Sequence, residues 1–454
     1  MFEHSHESTP VADEKPKPRH QDRGRSRLLA PSAALRVRAV LSPERAVNGA
    51  FRVAIAFLSM GTVAQAQQAP GVVVLRHANL VDGRRGAIAT NATLVLRNGE
   101  IAQVEGEAFA PPAGATVIDV GGRYVVPGLI DAHTHISTLA DARRALESGV
   151  TTVRSASTNN YQDVALRELV KQGVLAGPDV VAAGVFVTPD LGETMLADPR
   201  LGAFSAGVTS EAALRGVVRV NLEHRVNVIK TRGTERAGLP STDPRKQTFT
   251  EQQLAWIVDE ATKGGVPVMA HAHGDEGAYA AVKAGVRSIE HGTYLSDSTL
   301  ALMRERGTFL VPTYITVVDL TRGGGDYDNP ALTLRGTHML PRLAETVQRA
   351  HRLGVKIATG ADTQYGPESL SRISGEVAHL VELGLTPVEA LRSATTIAAD
   401  LLGLGGKTGA IQPGLDADLI VVERNPLQDA RALADILVVI SNGRVALNRL
   451  PFAR

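Results

Sequence analysis

The 454 residues contain no cysteine, which excludes disulfides, thiol nucleophiles, iron–sulfur clusters and cysteine-bound zinc. Any metal must therefore be held by nitrogen and oxygen. Aromatic residues are scarce, 4% against 44 glycines, a bias that suits short α/β units joined by tight turns. Neither sign of charge dominates, with 48 Lys+Arg facing 47 Asp+Glu, so there is no electrostatic footprint for nucleic acid or for an anionic membrane surface. No apolar run is long enough to cross a bilayer as a helix.

What is present begins with a polar, basic stretch of about fifty residues, including Lys15-Pro16-Lys17-Pro18-Arg19 and Arg23-Gly24-Arg25. A short apolar run at 53–60 follows Arg52 and leads to Ala64-Gln65-Ala66. Basic flank, apolar core and Ala-x-Ala predict a secretory signal cleaved near Ala66, and with it export to the periplasm or the exterior. Residues 1–66 are accordingly read as leader plus signal peptide. From residue 67 to 126 the texture is short alternating strands, with Asn98-Gly99 as a hairpin turn. The same texture returns over 405–454, so the two segments are expected to build one small β-sandwich domain from both chain ends.

Between them, over 127–404, strand-like and helical runs alternate. Strands are predicted at 125–130, 150–153, 180–183, 226–229, 266–270, 288–290, 309–312 and 355–358. Helical patterns lie between most of them, the best defined being Glu251 to Lys263 behind its Thr250 cap. Eight such units imply an α/β fold of the (β/α)8 TIM-barrel type, whose active site lies just past the C-terminal ends of the strands.

That rule selects residues without reference to any motif. His133 and His135 follow the first strand, and residues i and i+2 of a strand share a face, so both imidazoles can reach one ion. Lys230 ends the fourth strand, His271 ends the fifth with His273 two positions further, His291 ends the sixth, and Asp362 stands just past the eighth. Arg154, Arg232 and Tyr294 follow the second, fourth and sixth strands and are expected, with His273, to bind substrate. An arginine fork there suits the carboxylate of a C-terminal amino acid. The glycine-rich segment from Asp319 to Pro330 is read as a lid.

In this order, His133-Thr134-His135 after Pro127-Gly128-Leu129-Ile130-Asp131, then Lys230, His271, His291 and Asp362, resemble the amidohydrolase superfamily of metal-dependent hydrolases. Ala270-His271-Ala272-His273-Gly274 and Ser288-Ile289-Glu290-His291-Gly292-Thr293-Tyr294 are similar to its imidazolonepropionase-like branch, which includes Xaa-Pro-type dipeptidases and ochratoxin-hydrolysing amidases. The resemblance implies two divalent metal ions, with zinc suited to the donor set, and Lys230 carboxylated by carbon dioxide to bridge them. It assigns His133, His135 and Asp362 to one ion and His271 and His291 to the other, with Asp362 as the acid–base group and Lys230 completing the catalytic centre. The activity implied is hydrolysis of a small-molecule amide or dipeptide, an N-acyl or aminoacyl amino acid of which ochratoxin-type amides are one form, by a homo-oligomer. The alternatives are a cyclic-amide hydrolase of the imidazolonepropionase kind, against which Lys230 argues, and a non-catalytic barrel used for binding. The chain departs from the dipeptidase pattern at Arg154-Ser155-Ala156, where those relatives carry Arg-Asp.

Overall fold

The computed structural model describes residues 71–450; the expected leader, signal peptide and cleavage point lie outside the described residues. The two ends of the described chain meet in one sheet. Its leading strands are β1 (Val73–Val81), β2 (Ile88–Arg97), β3 (Glu100–Glu105), β4 (Thr116–Asp119) and β5 (Tyr124–Pro127). Asn98 and Gly99 take φ of 55° and 90°, the paired positive values that a tight two-residue hairpin demands, and they turn β2 into β3.

A second set of strands begins with β6 (Leu129–Thr134) and continues through β7 (Val150–Ser155), β8 (Asp179–Val181), β9 (Ile229–Arg232), β10 (Val268–Ala272), β11 (Ser288–His291) and β12 (Phe309–Val311). The chain then returns to the first sheet as β13 (Leu419–Val422), β14 (Ile436–Ser441) and β15 (Arg444–Asn448). The order there is β15-β14-β13-β5-β1-β2-β3, with β4 also pairing β1. Hydrogen bonding thus draws one eight-stranded sheet where the sequence suggested a two-sheet sandwich. It carries its own apolar cluster, which includes Leu75, Leu94, Leu96, Val125, Leu419 and Val438.

The helices are α1 (Leu139–Glu147), α2 (Gln162–Lys171), α3 (Glu211–Glu223), α4 (Glu251–Lys263), α5 (Asp275–Ala284), α6 (Asp297–Arg306), α7 (Tyr314–Leu320), α8 (Pro330–Leu353), α9 (Ile373–Glu382), α10 (Pro387–Ser393) and α11 (Thr396–Leu402). Most strands of the second set are followed by a helix, and their ladders are all parallel: β6-β7-β8 in one group and β9-β10-β11-β12 in the other. β6, β7, β11 and β12 are buried throughout, as parallel strands covered on both faces must be. The result is a TIM-barrel-like α/β fold whose ladders stop short of a continuous ring.

Individual backbone bonds span the two gaps. Asn227 N–H reaches Ala182 O at 2.7 Å and Val187 N–H reaches Lys230 O at 2.9 Å; opposite them, Ala132 N–H reaches Thr359 O at 3.0 Å and Asp362 N–H reaches His133 O at 2.7 Å. The eighth predicted strand is therefore a connecting segment with isolated bridges at Leu310↔Ile357 and Thr134↔Thr363. Asp362 takes a φ of 45°, which no ladder strand accommodates. The fourth strand also differs from expectation: it runs Ile229–Arg232, three residues later than 226–229, so Lys230 lies inside it and Arg232 at its end.

Close backbone approach sets Gly233, just after β9, opposite Gly277 in α5. A Cβ on Gly233 would stand 2.4 Å from Gly277 O and 2.7 Å from its carbonyl carbon, and backbone cannot move aside as a flexible side chain can. Gly233→Ala is expected to lower stability by about 1–3 kcal/mol, seen as a lower urea midpoint at unchanged slope.

Candidate metal centre

The C-terminal ends of the second strand set gather seven of the sequence-selected side chains. β6 delivers His133 and the segment after it His135; β9 delivers Lys230 and Arg232; β10 delivers His271 and the residue pair after it His273; β11 ends on His291. The bridging segment adds Asp362. All eight line one cavity of about 650 Å3.

Two groups of ligating atoms form within it. His133, His135 and Asp362 make one, and His271, His273 and His291 the other, with one ligating atom per residue lying within 4.8 Å of the rest of its group. His133 joins the two, its ring centroid lying 5.0 Å from that of His291, and Lys230 Nζ lies 3.4 Å from His133 Nε2. His273, expected further out against substrate, instead stacks on His291 with centroids 4.6 Å apart and completes the second group while still facing the cavity.

The far nitrogen of each imidazole is already committed. His133 Nδ1 lies 2.7 Å from Glu290 Oε2, His135 Nδ1 3.1 Å from Ser157 O and His271 Nε2 3.0 Å from Glu235 O. A carboxylate or carbonyl can only accept, so in these three rings the proton sits on that nitrogen and the other presents a lone pair to the cavity. His273 Nδ1 and His291 Nδ1 meet the hydroxyls of Thr293 and Thr313 at 2.8 and 2.7 Å. This is the outer arrangement that orients metal-bound histidines.

The inner contacts fit a cation. Asp362 Oδ1 stands 3.2 Å from His135 Nε2 and 3.4 Å from His133 Nε2, so two imidazole lone pairs and a carboxylate converge with no proton to share. Burial, with Lys230 nearby, pushes the His133 imidazolium down to about 4, and burial pushes His273 to about 3. His271 and His291 are lowered well below the usual range, burial first and neighbouring histidines after it. All four are thus neutral, the form a metal takes. Burial alone would raise the Asp362 carboxyl, but His133 and His135 outweigh it and hold it well below the ordinary range. Burial lowers the Lys230 ammonium to about 8.

Backbone strain marks the same place. His291 and Thr313 have φ of 74° and 46°, conformations that non-glycine residues adopt at a price in energy and that concentrate at functional sites. Glu376 in α9 holds the second of these turns by accepting from Tyr314 N and Ile315 N at 2.9 and 2.7 Å.

Two expected substrate contacts are corrected. Arg154 is only 2% exposed and points into the barrel, where Nη2 donates to Glu290 at 2.9 and 3.1 Å, Nε to Ala132 O at 2.7 Å and Nη1 to Ser288 Oγ at 3.0 Å. Through Nη2 it holds the carboxylate that in turn holds His133. Tyr294 sits outside the cavity wall, packed on the core, with its N–H on His273 O at 2.9 Å. Arg232 does line the cavity. Burial, with Arg236 beside it, lowers its guanidinium to about 10. The segment read as a lid runs between α7 and α8 and brings Tyr327 to the cavity wall. Asp326 anchors it, with Ser369 Oγ donating to Oδ2 at 2.7 Å.

Sequence reasoning missed Glu290, Arg236 and Tyr327. A signal for Glu290 was present: Ser288 and Glu290 alternate on one face of an otherwise apolar strand, and polar groups buried there require a partner. Arg236 and Tyr327 are loop residues for which no pattern spoke.

The sequence profile described as "Amidohydrolase family" matches residues 124–446. Ochratoxinase of Aspergillus niger is 29% identical over 410 residues, covering 80% of this chain and 84% of that protein. Imidazolonepropionase of Mesorhizobium japonicum is 27% identical over 391 residues, covering 76% and 90%. The crystal structure of a Xaa-Pro dipeptidase with bound methionine in the active site superposes with a TM-score of 0.72 at 27% identity, over 83% of this chain and 99% of that one.

Removing the Glu290 charge leaves Arg154 buried and unpaired. Glu290→Gln is expected to destabilise the fold by about 3–5 kcal/mol at pH 7, measured by chemical denaturation. Burial would raise the Glu290 carboxyl, but Arg154 and His133 hold it down at about 2 against its ordinary 4.5. Its contribution is therefore complete above pH 4.5 and lost as pH falls towards 2, so the gap between wild type and variant should narrow over that window.

Proposed function

The chain belongs to the amidohydrolase family and is a hydrolase of carbon–nitrogen bonds; from that premise we propose a binuclear metal-dependent amidase or dipeptidase acting on N-acyl or aminoacyl amino acids. The observation that carries this reading is the pair of three-residue groups, His133–His135–Asp362 and His271–His273–His291, with Lys230 beside the histidine that joins them. Kinship also supports amide hydrolysis, since the relatives include an ochratoxinase and a Xaa-Pro dipeptidase. Ochratoxin-type amides, in which an acyl group is joined to an amino acid, fall within the proposed class.

In this reading His133, His135 and Asp362 would hold one divalent ion and His271 and His291 the other, and zinc suits their nitrogen and oxygen donors. Lys230 would serve both as a carbamate: its amine nitrogen would add to carbon dioxide and release a proton, replacing a neutral donor by an anion with two oxygens. The buried amine, lowered to about 8, is more readily deprotonated for that step than an ordinary lysine. When bound, such ions acidify a water molecule and polarise the scissile carbonyl.

The remaining steps belong to the protein. Asp362, ionised at neutral pH and facing the cavity, accepts the proton of the attacking water and passes it to the departing nitrogen. His273, neutral and fixed by Thr293, borders the space where the acyl oxygen would lie. Arg232, on the cavity wall, receives the carboxylate of the leaving amino acid through its planar fork. The cyclic-amide alternative is disfavoured by Lys230.

The test is to assay purified protein, metal-loaded and chelator-treated, against N-acyl amino acids and dipeptides by detecting the released amine. Metal analysis should give two ions per chain, and chelation should abolish turnover until metal is restored. Asp362→Asn is expected to lower kcat by about a hundred- to ten-thousandfold while much of the metal stays bound. Near-normal turnover in that variant would refute the proton-transfer role.

A further inference from the structure

Two guanidinium groups on the cavity wall are left without an anionic partner. Arg232 closes β9 two residues after Lys230, and its guanidinium lies over the Phe186 ring at 4.6 Å. That stack uses the face of the group and leaves its N–H edges free. Its Nε is buried and has no hydrogen-bond partner. Arg236 stands four residues further on and lines the same cavity. Among the described residues its side chain makes no hydrogen bond or ion pair.

The loop that carries Arg236 is fixed from behind. Arg335 in α8 donates to the carbonyls of Ala237, Leu239, Pro240 and Thr242 at 2.5–3.2 Å. Arg236 is therefore presented by an ordered loop. The nearby carboxylates are engaged elsewhere. Glu235 accepts from Lys246 Nζ at 2.7 Å and from Asp243 N at 3.0 Å. Asp326 accepts from Ser369, and Asp362 faces His133 and His135. Arg232 is half-buried without counter-charge, which is costly, and a substrate carboxylate recovers that cost on binding. Arg236 is exposed on the cavity wall, so its charge is open to a second anionic group of the same ligand.

Resting on the amide-hydrolase reading above, in which Arg232 takes the α-carboxylate, we propose that Arg236 is a specificity residue for a second carboxylate. The preferred leaving group is then an acidic amino acid, aspartate or glutamate. The two arginines come from different elements, a strand end and a loop, which suits two separated charges better than one carboxylate shared between both.

N-acetyl-L-glutamate and N-acetyl-L-glutamine have nearly the same shape and differ in this one charge. With the full-length, metal-loaded enzyme, kcat/KM should favour the glutamate substrate by about ten- to a hundredfold, mostly through KM. Arg236→Met should bring the ratio towards one, and Arg236→Lys should restore part of it. The wild-type ratio needs no variant to fold, and circular dichroism with metal content checks that each variant has folded. Equal wild-type efficiency on the two substrates, or an equal loss on both in Arg236→Met, overturns the proposal, since it would mean a single shared carboxylate. If neither substrate nor N-acetyl-L-leucine is cleaved, the amide-hydrolase reading fails on its own. Calorimetric affinity for the glutamate and glutamine compounds then still decides the role of Arg236, tighter binding of the former supporting it and equal binding refuting it.

Discussion

The centre depends on a buried chain of charge: Arg154 to Glu290 to His133. Glu290 is fully enclosed, and alone in that position it would have taken up a proton. Arg154 keeps it ionised, and the ionised carboxylate fixes the tautomer of His133 and aims its lone pair at Asp362 and Lys230. His133 stands where the two ligand groups meet, so an error in its ring orientation would disturb both. Buried ion pairs are poor sources of net stability. This one is better understood as a device of geometry, holding an imidazole in one protonation state where the two side-chain groups meet.

A second chain reaches the centre from outside. Glu376, in α9, grips the first amides of α7. That helix begins at Thr313, whose hydroxyl bonds His291 Nδ1. His133 is thus set from within the barrel and His291 from the helical layer. The strained turns at His291 and Thr313 are held between these fixed points, which explains how conformations unfavourable in isolation persist here.

Much of the fold and centre was legible because strand periodicity and the barrel rule together say which residues share one space. His133, His135, Lys230, His271, His291 and Asp362 were selected that way, and the structure brings them into one cavity. The same rule gave the wrong role to Arg154, because position along a strand does not tell whether a side chain turns up to the mouth or inward to a partner. That partner, Glu290, lies 136 residues away. Tyr294 was misplaced for a related reason: the turn after His291 directs it to the core. The eighth strand, expected at 355–358, is reduced to isolated bridges: its backbone bonds to Leu310 on one side and, through Thr359, to Ala132 on the other, without the run of successive bonds that makes a ladder. Arg236 and Tyr327 sit in loops whose course is set by contacts such as Arg335 on the 237–242 segment, and no local pattern records those.

The pairing of β5 with β13, from Tyr124↔Val422 to Pro127↔Leu419, has a consequence for how the molecule is made. β5 runs through Gly128 directly into β6, the strand that carries His133. A Cβ at Gly128 would stand 2.2 Å from Thr151 Oγ1, so the corner is tight and the two strands are mechanically linked. Every residue of the centre is translated before Leu419, yet the strand that leads into its first ligand has no neighbour on that side until the C-terminal segment has left the ribosome. A nascent chain therefore holds every side chain of the centre before it holds the clasp, and a settled geometry for the centre belongs to the finished polypeptide.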